Sequence, residues 1–127
     1  MIYVKLHGRL GNILFCLATA ATVAKQNNDN FTAFCHTDYL LNSNNDITIW
    51  EYIQDLKANI FKNIEFMEHP PSSKNFFKQK DFSFEKINYQ KDMTLVGSFQ
   101  SFKFFDKKIA YNLFKTPPKT KKIILKN

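Results

Sequence analysis

Cysteine occurs only at Cys16 and Cys35 in this 127-residue chain, with no C-x-x-C or mixed Cys/His spacing around either. Nothing in this spacing suggests a metal site, and reduced, buried thiols are expected. Histidine is as sparse, since His7, His36 and His69 stand too far apart in sequence to suggest zinc. No pair of aspartates forms a D-x-D arrangement that could hold a divalent ion on a nucleotide, so any phosphate chemistry is expected to be metal-independent. The longest apolar run, near residues 13–24, is too short to cross a bilayer, which argues against an integral membrane protein. The expected location is cytoplasmic, with the inner face of a membrane as the alternative. Lysine forms no block longer than two, so the net charge of +7 reads mainly as a solvating surface and not as a nucleic-acid tract. Arginine occurs once, at Arg9, and glycine three times.

Where those scarce residues fall is informative. An extended run, Ile2-Tyr3-Val4-Lys5-Leu6, feeds the polar loop His7-Gly8-Arg9-Leu10-Gly11-Asn12, and an apolar helix is expected over 13–25. The loop holds two of the three glycines, which let backbone amides approach a ligand, and the helix behind it offers unpaired donors and a partial positive charge. The only planar guanidinium, able to grip a phosphate or carboxylate in two places, lies in the same loop. A purely structural loop is the plainer alternative. Lys5 and Arg9 ahead of the apolar run also superficially match a secretory signal, against which stand the β-rich 2–6 segment and the Gly11-Asn12 interruption.

With 44% hydrophobic and 23% charged residues the chain is long enough for one domain with a real core. Asn27-Asn28-Asp29-Asn30 reads as a turn and Phe31-Thr32-Ala33-Phe34 as a second strand, completing a β-α-β unit. Such a crossover makes the two strands parallel and puts the glycine loop at the carboxyl end of the first, where open α/β sheets bind ligands. A capping box at Thr48-Ile49-Trp50-Glu51 and apolar spacing through Ile60 predict a helix over 49–61. A short strand is expected at 64–67, a loop at 69–75, and no clean period over 76–89. The aromatic and basic interleaving there is a weak signal for single-stranded nucleic acid. Met93-Thr94-Leu95-Val96 reads as a strand ending in a second loop, Gly97-Ser98-Phe99-Gln100-Ser101, ahead of a helix with Phe102, Phe105, Ile109 and Leu113 on one face. Ser98 or Ser101 is the expected cap of that helix, Thr116-Pro117-Pro118 its stop, and 122–125 the start of a further strand.

The two loops together resemble glycosyltransferase family 11, the α-1,2-fucosyltransferases, whose motifs run G-G-L-G-N-Q-M-F-Q and G-Y-F-Q-S-x-K-Y-F. The counterparts are Gly8-Arg9-Leu10-Gly11-Asn12-Ile13-Leu14-Phe15 and Gly97-Ser98-Phe99-Gln100-Ser101-Phe102-Lys103-Phe104-Phe105. The Gly8-Arg9-x-Gly11-Asn12 form is also similar to the G-R-F-G-N-Q loop of protein O-fucosyltransferases. The resemblance implies a Rossmann-like parallel sheet flanked by helices, equivalent to the N-terminal half of a GT-B enzyme. Such an enzyme transfers fucose from GDP-fucose to a galactose 2-hydroxyl without a metal. It further implies donor contacts from Gly8, Arg9, Gly11 and Asn12, and acceptor or sugar contacts from Ser98 and Gln100. Ile13 replaces the family's glutamine. The H-x-R-R-x-D motif of the family's second half does not occur in these residues, so the chain is expected to be a fragment or truncated form, or to be completed by a second polypeptide. No catalytic base is assigned, because Asp92 and Asp106 are as well explained by a turn and a helix surface. The alternative is a catalytically inactive module that binds a nucleotide or sugar phosphate.

Overall fold

The computed structural model describes residues 1–7, 10–35, 64–67, 70–81 and 83–114. The predicted helix at 49–61, the Thr-Pro-Pro stop and the strand at 122–125 lie outside the described residues, as do Gly8 and Arg9. The described chain is α/β, with a five-stranded, all-parallel, Rossmann-like sheet flanked by helices. The strands are β1 (Ile2–Leu6), β2 (Phe31–Cys35), β3 (Phe66–Met67), β4 (Asn75–Lys78) and β5 (Met93–Val96), in the order β3-β2-β1-β5-β4. Helix α1 (Leu10–Gln26) joins β1 to β2, and α2 (Lys107–Leu113) follows β5.

Alternation along β1 explains how the sheet meets its helix. Ile2, Val4 and Leu6 are buried whereas Tyr3 and Lys5 are half-buried, so one face carries the apolar set. Register puts Ala33 and Leu95 beside Val4 on that face, and α1 packs over it through Ile13, Cys16, Leu17, Ala20, Val23 and Ala24, at helical spacing. The helix is buried on its flank as well, where Ala18 and Ala21 allow close approach and Thr19 and Thr22 need partners. Their hydroxyls donate to the carbonyls of Phe15 and Ala18, each at 2.9 Å, which meets the demand of burial within the helix itself. The segment that superficially matches a secretory signal thus supplies the central strand and its covering helix.

Three features differ from the sequence reading. Helix α1 starts at Leu10, not at residue 13, so Gly11 and Asn12 belong to its first turn and not to a loop. Leu10 continues the apolar spacing of Ile13, Leu14 and Leu17, and two weak helix formers cost little where amides have no helical acceptor anyway. The helix expected from Phe102 begins only at Lys107, and its cap is Asp106, whose carboxylate accepts from the amides of Lys108 and Ile109; neither Ser98 nor Ser101 caps it. Residues 101–105 instead form turns, because their aromatic rings pack separately, Phe102 and Phe105 on Phe15 and Phe104 on Phe99. Strand β4 takes in Asn75, the last residue of the expected loop, and continues where no period is legible, since an edge strand with only Phe77 turned inward shows no alternation.

At the amino end of the sheet the Met1 ammonium bonds both Asp29 and Asp92, at 2.9 and 3.3 Å, and the Tyr89 hydroxyl donates to Asp29 at 2.8 Å. This network ties the residues ahead of β1, β2 and β5 together, at the end opposite the glycine loops.

Candidate functional site

The carboxyl ends of β1 and β5 are neighbours in the sheet, and the chain leaves them toward the two sequence motifs. Between β1 and β5 the connectivity changes direction, from the β1-to-β3 half to the β4-β5 half, which is where parallel sheets open a crevice. The two exits are pinned to each other there. His7 Nε2 donates to the Gly97 carbonyl at 2.8 Å, and the Cys16 thiol reaches the same oxygen at 3.4 Å. Burial pushes the Cys16 thiol up to about 12, so it stays protonated and serves as a weak donor, not as a nucleophile.

Above this pin the side chains of Asn12 and Gln100 meet. Gln100 Nε2 donates to Asn12 Oδ1 across 88 positions of sequence. Beyond this contact Asn12 carries amide donors and Gln100 a carbonyl acceptor, groups suited to hydroxyls and phosphate oxygens. Gly11, one residue earlier in the first turn of α1, is exposed, and a Cβ built on it would meet no atom of the described residues beyond its own stretch of helix within 4 Å. That turn carries no acidic residue, and the first amides of a helix have no acceptor within it and lie at its positive end.

The second loop is built differently from the first. Its amides are already used: Gln79, just past β4, turns its side-chain oxygen to accept from both Ser98 and Phe99, at 2.9 and 3.0 Å. Phe99 adopts a left-handed φ of 51° and is fully buried, stacked on Phe77 and edge-on to Phe104. Two successive amides converging on one oxygen form a nest, occupied here by a side chain of the same chain. Ser98 can therefore meet a ligand through its hydroxyl but not its amide. The Gln79 Nε2 group is buried and has no hydrogen-bond partner among the described residues, a cost of about 1–3 kcal/mol for one orphaned group.

Of the six candidate residues, the structure brings Gly11, Asn12, Ser98 and Gln100 to one end of the sheet, while Gly8 and Arg9 lie outside the described residues. Sequence reasoning missed two participants. His7 was weighed only as a metal ligand, although its place directly after β1 was a signal for a contact at the strand exit. Gln79 carried no local signal, because its role exists only through the pairing of β4 with β5. The carboxylates Asp29 and Asp92 are engaged at the opposite end of the sheet, and Asp106 caps α2. Among the described residues no group of three or more His, Cys, Asp or Glu could hold a metal ion, and no helix is long and apolar enough to cross a membrane. Comparison with protein-family models, curated proteins and solved structures returns no match.

Proposed function

We propose that this domain is the sugar-nucleotide-binding half of a glycosyltransferase similar to the α-1,2-fucosyltransferases, taking GDP-fucose as donor for transfer to a galactose 2-hydroxyl. One observation carries the reading: Asn12 and Gln100, each chosen from a separate glycine-loop motif, bond to each other at the carboxyl end of a parallel sheet. In this reading the open first turn of α1 takes the donor's diphosphate on its amides at Gly11 and Asn12, aided by Gly8 and the guanidinium of Arg9. Gln100, with the Ser98 hydroxyl beside it, contacts acceptor or donor sugar. Transfer itself calls for the arginines of the H-x-R-R-x-D motif, absent from these 127 residues, so the other half of the cleft belongs to a further segment or a second polypeptide.

A second reading, a binding module without turnover, is favoured by one observation: Asp29, Asp92 and Asp106, which include both carboxylates nearest the loops in sequence, are all committed elsewhere. Calorimetric titration with GDP-fucose and GDP, beside a glycan-transfer assay, separates the two. Both readings require binding, with Asn12→Ala weakening it about tenfold, the equivalent of one hydrogen bond to a charged group. Transfer supports the enzyme, and binding without turnover supports the module. No heat of binding at about millimolar ligand, some 4 kcal/mol of affinity, rejects both.

A further inference from the structure

We infer that Gln79 is a positioning residue of the proposed site, fixing the β5 exit loop so that Gln100 faces Asn12. The inference rests on the sugar-nucleotide reading for its consequence at the ligand, and on loop geometry for its cause. Gln79 continues the β4-β5 ladder, its own amide donating to the Val96 carbonyl at 2.9 Å, so its backbone is anchored before its side chain turns. The side-chain oxygen then takes the amides of Ser98 and Phe99 together, the two residues directly ahead of Gln100. From the other side, His7 holds the Gly97 carbonyl. Gly97 has no room for more than a hydrogen, because a Cβ there would lie 2.6 Å from Gln79 Cβ and 2.8 Å from its side-chain oxygen.

The loop is therefore clamped at three successive residues, and Gln100 is the first that projects into solvent. Phe99 alone could not set this geometry. A non-glycine residue at a φ of 51° is held there by its surroundings, and the bond from its amide to Gln79 is the polar part of that restraint. Because Gln79 orients the amides with one oxygen, a carboxylate could do the same, whereas a methionine of similar length could not. The orphaned Nε2 adds to the distinction, since glutamate at this position removes a buried donor that has nothing to bond among the described residues.

The test uses the full chain in five versions: unaltered, Q79M, Q79E, Q100A, and Q79M placed on the Q100A background. Amide hydrogen exchange is followed at Ser98, Phe99 and, as an internal control, Leu95, and GDP-fucose affinity by calorimetry. Q79M is expected to speed exchange at Ser98 and Phe99 about tenfold while Leu95 is unmoved, and to weaken GDP-fucose about tenfold. Q79E should stay within about threefold on both counts, and Q79M should add less than about twofold in the absence of the Gln100 side chain. Unchanged exchange in Q79M, or Q79E as damaging as Q79M, overturns the inference. Faster exchange with unaltered affinity also overturns it while leaving the donor site standing, whereas an unaltered chain that binds no GDP-fucose brings down the functional reading and the role of Gln79 toward a ligand with it. Should Q79M fail to fold, Q79A removes the same oxygen without adding bulk and is read by the same criteria.

Discussion

Gly97 illustrates how one side chain limits another. Its neighbour Gln79 stands so close that even a methyl group collides, first with Gln79 Cβ and then with the oxygen bonded to two amides. Gly97→Ala is therefore expected to destabilise the domain by about 1–3 kcal/mol in urea unfolding, the usual cost of overpacking. Gly11→Ala, with open space at the corresponding point, should change stability by no more than about 1 kcal/mol and in the favourable direction, as alanine outranks glycine in a helix. Equal destabilisation by both substitutions would contradict the geometry. Asp29 gives a second residue-level expectation. Burial works to raise its pKa, but bonds from the Met1 ammonium, the Tyr89 hydroxyl and the Asn30 amide outweigh it and hold the carboxyl below its ordinary 3.8. The stability it adds is complete above that value and is lost as pH falls through the lower folded one. For the Met1 ammonium, burial lowers and the two aspartates more than restore the pKa, which ends above 8.0, so its share is complete below 8.0 and lost as pH rises through the raised value. The stability difference between the natural chain and Asp29→Asn should thus be flat from about pH 4 to 8 and shrink toward both extremes. A difference unchanged down to pH 2 would show that the ion pair contributes nothing.

Among the secondary-structure elements, those whose apolar pattern reflects burial on one face were legible from sequence. β1, β2 and β5 appear at the expected residues, β1 through its alternation of buried and half-buried positions and β2 and β5 as short apolar runs bounded by turns and buried in succession. α1 was legible over most of its length for the same reason at period 3.6. The misses have a common physical origin in interactions beyond the segment itself. β4 exists by pairing with β5, and residues 101–105 are kept out of the helix by rings that pack on Phe15 and Phe99. What terminates that aromatic segment is Asp106, which had looked like an ordinary surface carboxylate. Asp106→Ala should cost about 1 kcal/mol in unfolding free energy, and Asp106→Ser, which restores an acceptor at the cap, should recover most of it. If serine were no better than alanine, the start of α2 would owe its position to packing alone.

Across the whole molecule, the parallel topology matters more than any single element, because it brings two motifs from opposite ends of the described chain to one rim. The two loops are legible in the sequence but not how they differ: Gly11 and Asn12 belong to the first turn of α1, whereas the amides of Ser98 and Phe99 are both bonded to the Gln79 side chain. The ion-pair network sits at the far end of the sheet, so the pH dependence that it contributes is separate from the proposed site. A backbone amide chemical-shift map recorded while GDP is added reads that arrangement in one experiment. The account predicts saturable shifts centred on Gly11, Asn12 and Ile13, with Gln100 moving in step and the amides of Asp29 and Asp92 still. Shifts confined to the lysine-bearing surface, or none at Gly11 and Asn12 at saturating GDP, would contradict it.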